Sequence, residues 1–416
     1  MQETNKEIII IGGGPAGMTA ALFALKKGAD VCLLEKNDKL GKKLYITGKG
    51  RCNMTNDCDI NTFLEHIPRN SRFMYSAINF LSPQALMELF ENLGCPTVLQ
   101  RGSRVYPKSE KASDVTRTLA RNIEKAEIHL NSDVKNINIE DNKIKGVTLY
   151  DGRFLPCKAL VIATGGLSYP ITGSTGDGYA FAKSAGLKVT KTSPSLVPIN
   201  LDDEWVKPLS GLTLKQVAIT AYKNKKRLYF RQGELLLTHF GISGPIALSL
   251  SAHITGENPK DIKLELDMKP ALTEEMLITR LDRECMEFGA KTLKTNLKGY
   301  LPINMAEPFL SITGIDPNKK LAHLNSEERK LIAYTLKHIP LNFNSLRPFN
   351  EAVVTRGGVE VGEINPKTMQ AKKISGLYFA GEVLDVDGYT GGFNLQIAFS
   401  TGALAGENAA EFILGR

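Results

Sequence analysis

No apolar run in this chain reaches the ~18 residues that a membrane-spanning helix needs, so an integral membrane protein is not expected. Cysteine is sparse, and Cys32, Cys52, Cys58, Cys95, Cys157 and Cys285 show no paired spacing. That argues against a disulfide framework and for reduced thiols in a cytoplasmic setting. Cys52 and Cys58 lack a second ligand pair, so no metal centre is expected. Residues 1–6 are polar and the apolar run behind them is short, which is not the pattern of a secretory signal. Internal repeats and low-complexity tracts are absent. Acidic side chains are missing from one long stretch: residues 206–233 carry Lys207, Lys215, Lys223, Lys225, Lys226, Arg227 and Arg231 but no Asp or Glu.

What is present is ordinary for a globular protein. The 416 residues, 42% hydrophobic and 23% charged, suit two or three domains. A net charge of +8 is compatible with an anionic partner and says nothing about fold.

The most informative stretch is residues 7–35. An apolar strand (8–11) runs into Gly12, Gly13, Gly14, Pro15, Ala16 and Gly17, and an Ala- and Leu-rich helix follows. Gly28 ends that helix, and a second strand closes on Glu35. This is a strand–turn–helix–strand unit with the Gly12-x-Gly14-x-x-Gly17 spacing of a dinucleotide fingerprint. Gly12 permits the tight turn, Gly14 lets backbone approach a pyrophosphate, and Gly17 lets helix and strand pack closely. The helix N-terminus faces the phosphates, and Glu35 would take the ribose hydroxyls.

Later stretches return to the same theme. Residues 48–53 (GKGRCN) read either as an exposed loop or as a second dinucleotide contact, where Gly48 and Gly50 allow close approach and Arg51 neutralises phosphate. A buried strand (159–164) ends in Gly165-Gly166, again suited to close backbone approach. Residues 82–93 and 273–288 read as amphipathic helices capped by Ser82 and Thr273. From 194 to about 267 the pattern changes to short strands, including 214–223, 226–231 and 234–238. There the basic stretch is either a solvated face or an anion-binding surface, with nucleic acid the obvious candidate. Tyr222, Tyr229 and Phe230 would stack on bases or pack in the sheet. In residues 238–245, glycines and a proline bend the chain around His239, the composition of a binding loop. Residues 376–380 form a strand meeting Gly381-Glu382. The run 385–396 then leads through Gly391-Gly392 into a small-residue helix at 397–413, whose N-terminus would stabilise a negative charge.

Six motifs, IIIIGGGPAGMTAA, TGKGRCNMTN, ATGGLSYPITGSTGDGY, LTHFGISGP, TRGGV and LYFAGEVLDVDGYTGGFNLQ, stand in order along nearly the whole chain. Together they resemble the YhiN/BaiN-like, aminoacetone-oxidase-type family of FAD flavoproteins. The resemblance implies an α/β fold: a glutathione-reductase-type FAD-binding Rossmann domain with an inserted β-barrel-like domain and a small helical lid. The expected divisions are 1–193 and 341–416 for the FAD domain, 194–269 for the insert and 270–340 for the helical part. Expected cofactor contacts are Gly12, Gly14, Pro15, Ala16, Gly17, Glu35 and Lys36 in the first motif. Gly48, Gly50, Arg51, Asn53, Val134, Thr164 and Gly165 follow, and Gly381, Glu382, Asp387, Gly391, Gly392, Phe393 and Asn394 complete the set.

Similar proteins act on different substrates, so the resemblance implies cofactor and reaction type before substrate. One expectation is that reduced FAD saturates an activated C=C bond, in a uridine of ribosomal RNA held by Lys215, Lys223, Lys225, Lys226, Arg227 and Arg231. Cys52 would then be the acid that protonates carbon, in a loop where a thiol could be tuned; the alternative is a packed Cys. The others are oxidation of a small amine such as aminoacetone, with His239 as polar wall, and NAD(P)H-dependent reduction of an unsaturated ketone. No second glycine fingerprint is present, so NAD(P)H would bind transiently as electron donor.

Overall fold

The computed structural model describes residues 7–415. The segment 1–6, considered above as a secretory signal, lies outside them. The chain forms two compact units. The first takes the chain up to Ser195 and again from Phe349; the second is Leu196–Pro348.

A parallel sheet organises the first unit. Its strands are β1 (Ile8–Ile11), β2 (Val31–Leu34), β3 (Glu127–His129), β4 (Ala159–Ile162) and β5 (Leu377–Phe379), in the order β5-β4-β1-β2-β3. Every junction is parallel. The sequences IIII, VCLL and ALVI of β1, β2 and β4 are buried throughout. Unbroken apolar runs of this kind belong to strands covered on both faces. Helix α1 (Pro15–Lys26) makes the crossover from β1 to β2, with Pro15 in its first turn. The sheet grows outward from β1 in both directions, the arrangement that leaves a crevice at the strands' carboxyl ends.

Helix α2 (Phe393–Leu414) lies against α1. Only glycine allows the approach: a Cβ on Gly402 would sit 2.3 Å from the Ala16 oxygen, and one on Gly406 would sit 2.1 Å from the Ala20 oxygen. Since 402 meets 16 and 406 meets 20, the helices run in the same direction. Helix α2 starts four residues earlier than the sequence pattern suggests, because Gly391 and Gly392, at φ 129° and 104°, end the loop directly before Phe393. The chain leaves and re-enters this unit on paired antiparallel strands, Ser193–Ser195 and Val354–Arg356.

The second unit contains a seven-stranded antiparallel sheet. Its long hairpin joins Thr213–Lys223 to Lys226–Thr238 through Asn224 and Lys225, both at positive φ (48° and 65°), as a tight two-residue turn requires. The sequence reading breaks the second strand near Gly233; the structure does not. Gly233 stays in the ladder opposite Val217, and the irregularity falls on the partner strand, where Gln216 has φ 57°. Residues 238–245 resolve into a His239-Phe240 turn, a strand (Gly241–Ser243) and the start of a helix (Pro245–Ile254). That helix and Glu274–Glu287 and Ser326–Lys337 supply Leu250, Leu277, Leu281, Ile332 and Leu336 to one core with Leu235, Leu264 and Leu266 of the sheet. No helix among the described residues is long and apolar enough to cross a membrane.

Candidate cofactor site

The three glycines of the first motif are required for three different reasons. Gly12 has φ 105°, and a Cβ there would lie 2.4 Å from the Ala163 oxygen on the neighbouring strand end. A Cβ on Gly17 would lie 1.8 Å from the Gly12 oxygen. Gly14 has φ −78°, open to any residue, and no protein atom lies within 4 Å of its would-be Cβ. Folding therefore demands glycine at 12 and 17 but not at 14. No side chain caps α1, so its first-turn N–H groups have no side-chain acceptor at the N-cap.

Glu35 is buried at the end of β2. Its Oε2 accepts from the Gly13 N–H (2.8 Å), and its Oε1 accepts from the Asn37 N–H (2.8 Å) and Nδ2 (2.7 Å). The carboxylate thus braces the glycine turn. The segment leading to Val134 lies alongside, with Ser132 N–H donating to the Glu35 carbonyl, and Val134 itself opens a strand (Val134–Glu140). Gly381 at the end of β5 comes against Ala16, where a Cβ would lie 2.8 Å from the Ala16 Cβ. The first and last glycine motifs thus meet at the carboxyl end of the parallel sheet. Among the described residues, the buried polar atoms without a partner include Asn53 Oδ1, Thr55 Oγ1 and Thr164 Oγ1. Gly48 and Gly50 stand in an exposed left-handed loop (φ 56° and 84°), and Gly165 turns at φ 76°.

Several side chains expected to face a cofactor are engaged elsewhere. Lys36 pairs with Asp177 (2.5 Å). Arg51 lies over the Tyr106 ring at 4.4 Å and reaches Glu110 (3.4 Å). Each cation found a carboxylate or ring in its own unit, which local sequence does not reveal. Asn394 folds back on its loop, accepting from the Gly388 N–H (2.9 Å) and donating to the Gly388 oxygen (2.8 Å). The Phe393 ring is buried, stacked on His66 at 4.4 Å. What these positions still present is backbone at the uncapped first turn of α2, beside Gly392, whose Cβ would collide with the Thr55 oxygen at 2.3 Å.

The two residues expected at the reaction centre, Cys52 as acid and His239 as polar wall, differ sharply. Cys52 is completely buried in the core. Burial pushes its thiol up to about 12, only partly opposed by the Thr47 hydrogen bond. That direction is the opposite of a tuned acid's and suits the packed-cysteine alternative. His239 is exposed in its turn in the second unit, edge-on to Phe240 with centroids 5.0 Å apart.

The acids at the end of β5 have partners that the sequence did not disclose. Glu382 accepts from Lys43 Nζ (2.6 Å), Ser168 Oγ (2.7 Å) and the Thr355 N–H (2.8 Å). Burial alone would raise its pKa, but the charge and hydrogen bond of Lys43, with Ser168 and Thr355, bring it below the usual carboxylate range. Asp387 accepts from Ser195 Oγ (2.8 Å) and Arg69 Nη2 (3.2 Å). Here burial outweighs Ser195, Arg69 and Arg356, and the pKa is raised. Buried acids in an apolar stretch signal that cations must come from somewhere. Sequence cannot say which, since Lys43 and Arg69 stand more than 300 positions away.

On the second unit, Lys215, Lys225, Lys226 and Arg227 are exposed, Arg231 is half-buried, and Lys223 is paired with Glu257. Tyr229 is a core residue whose hydroxyl donates to the Ile246 oxygen (3.1 Å). Phe230 is 50% exposed, with the Arg227 guanidinium 5.7 Å from its ring centre.

A family model described as HI0933-like protein Rossmann domain matches residues 6–408. The chain belongs to the HI0933-like family. This HI0933-like protein is 30% identical over 410 residues to the 3-dehydro-bile acid delta(4,6)-reductase of Clostridium scindens, across 97% of this chain and 98% of that one. It is 32% identical over 404 residues to the ribosomal RNA dihydrouridine synthase of Escherichia coli, across 95% and 96%. A structure of quinol-fumarate reductase with menaquinol shares the fold (TM-score 0.53, 17% identity, 100% of this chain and 72% of that one). Like its family, the protein is an FAD-dependent oxidoreductase. The HI0933-like site fits that cofactor: an open cradle at Gly14, an uncapped helix end behind it, and the orphaned oxygens of Asn53 and Thr164.

Proposed function

We propose that this protein uses reduced FAD to saturate a carbon–carbon double bond conjugated to a carbonyl, and that its substrate is a uridine in ribosomal RNA. The observation that carries the reading is likeness over nearly the whole chain to two enzymes whose names describe that one reaction type on different substrates. RNA is favoured by the exposed cations Lys215, Lys225, Lys226 and Arg227 in a stretch without acids.

In this reading Gly12, Gly14, Pro15, Ala16 and Gly17 hold the pyrophosphate of FAD on backbone, and Glu35 orders the adenosine ribose. Val134, Gly48, Gly50, Asn53, Thr164 and Gly165 line its length. Gly381, Gly391, Gly392 and the backbone of Phe393 and Asn394 present the first turn of α2 to the flavin. Bound FAD supplies the hydride that one carbon of the double bond receives. The chain orients the base, excludes water and delivers a proton to the other carbon. NAD(P)H would visit transiently to renew the electrons, and a cytoplasmic setting suits both partners.

The test is anaerobic turnover with NADH or NADPH, offering ribosomal RNA fragments and a 3-keto-unsaturated steroid in parallel. Gain of two hydrogens on a uridine, with binding that weakens steeply as salt rises, supports the RNA reading. Turnover of the steroid alone moves the substrate to an unsaturated ketone. Rapid peroxide formation with small amines would instead favour an amine oxidase.

A further inference from the structure

We infer that Glu382 and Asp387 are positioning residues, each fastening one of the two strands that cross out of the first unit to the segment that holds FAD. The crossing strands are Ser193–Ser195 and Val354–Arg356, paired with Pro194 opposite Thr355 and Ser195 opposite Val354. The acids follow β5, five positions apart. Each has one side held by the crossing strands and the other by a cation from the N-terminal part of the chain. Glu382 Oε1 takes the Thr355 N–H (2.8 Å) and Oε2 takes Lys43 (2.6 Å). Asp387 Oδ2 takes Ser195 Oγ (2.8 Å) and Oδ1 takes Arg69 (3.2 Å), which also holds Asp385 (2.9 Å). Ser195, Thr355 and Asp387 are all at most 1% exposed.

Two clamps of the same construction, cation–carboxylate–crossing strand, thus flank one cofactor segment. Each carboxylate joins a crossing strand to a cation, so removing either acid leaves buried donors unmet. The segment keeps its FAD-holding form only while the crossing strands are in place. By linkage the converse holds, and FAD must order those strands. The inference rests on the placement of FAD along the first unit given above.

The test compares FAD-loaded and FAD-stripped protein by limited proteolysis, with cuts mapped to residues 190–198 and 347–357, and by titration of stripped protein with FAD. In the wild type, FAD should slow cutting at these strands about tenfold or more, the size of an ordinary coupling. Ser195→Ala and Asp387→Asn should each reduce that protection to less than about threefold, and the double variant should be no worse than Asp387→Asn alone, since both remove one interaction. Ser195→Thr should restore it. Wild-type protection in Ser195→Ala, or additive losses in the double variant, overturns the inference. So does a roughly hundredfold loss of FAD affinity confined to Asp387→Asn, which would make Asp387 a direct ligand. Should Asp387→Asn not fold, the Ser195 variants decide alone. Gly14→Trp tests the placement separately: if that variant keeps FAD, the placement fails, whereas a wild-type-like Ser195→Ala leaves the placement standing and removes only the clamps.

Discussion

Replacing Gly14 with alanine should separate folding from cofactor binding. The new methyl meets no protein atom within 4 Å, and φ −78°, ψ −176° is ordinary backbone for alanine. Losing glycine's freedom in the unfolded chain stabilises by about 0.4–1 kcal/mol. Alanine is the poorer N-cap by a similar amount, so the FAD-free protein should change by less than about 0.5 kcal/mol. The methyl does enter the space assigned to a phosphate. Overpacking there costs roughly 1–3 kcal/mol, or a 5- to 150-fold weaker Kd for FAD. Gly17→Ala is the contrast: a Cβ 1.8 Å from the Gly12 oxygen cannot be accommodated, and the stripped protein should lose about 2 kcal/mol or more. Urea denaturation of stripped protein and fluorescence titration with FAD measure both quantities. Unchanged FAD affinity in Gly14→Ala would show that no phosphate lies there. A stability loss matching that of Gly17→Ala would show that the glycine is needed for folding after all.

Four further variants probe other parts of the molecule. Cys52→Ala should keep turnover within about threefold while lowering stability by roughly 1–2 kcal/mol, as a buried thiol that only packs would; a hundredfold fall in kcat with FAD retained would restore Cys52 to the chemistry. Lys225→Gly relieves a non-glycine residue at φ 65° and should raise urea resistance by about 0.5–1 kcal/mol, while Arg227→Glu should weaken RNA binding and flatten its salt dependence in an anisotropy titration. In the second unit, buried Glu284 accepts from Arg280 (2.8 Å), Asn296 (2.7 Å) and Tyr300 (2.8 Å), and although burial opposes it these partners hold its pKa below the ordinary value. Its contribution is therefore present above the ordinary glutamate pKa and lost as pH falls through the lowered one, so Glu284→Gln should cost about 1–3 kcal/mol at neutral pH and less in acid, read by Tm against pH.

The strand–turn–helix unit at the N-terminus was legible because its glycine spacing, apolar runs and closing acid all lie within thirty residues and state one local geometry. Helices capped by Ser82 and Thr273 were legible for the same reason, and both side chains accept the N–H three residues on. The Lys43–Glu382 and Arg69–Asp387 pairs were not, since nothing local tells a buried acid which cation the fold will deliver. The fates of Lys36 and Arg51 have the same root: a cation near a glycine loop suits phosphate, but Asp177 and Glu110 come from elsewhere in the chain. The helix at Pro245–Ile254 escaped notice because Gly241 and Gly244 look like loop formers. Gly241 instead lies in a strand too close to the Ile199 oxygen (2.2 Å) for any side chain.

The meshing of α1 and α2 acts as a vernier. Gly402 engages Ala16 and Gly406 engages Ala20, four positions apart on each helix, and these two contacts set the register in which the helices mesh. Phe393 stands nine residues ahead of Gly402, so the tip of α2 overhangs the lock by about 13 Å at 1.5 Å per residue. A single-residue insertion or deletion in that overhang would move the tip about 1.5 Å and swing it by about 100°. One between 407 and 414 would leave it untouched. Length variation in this protein's lineage should therefore be tolerated at the tail of the last helix and barred from its first nine residues.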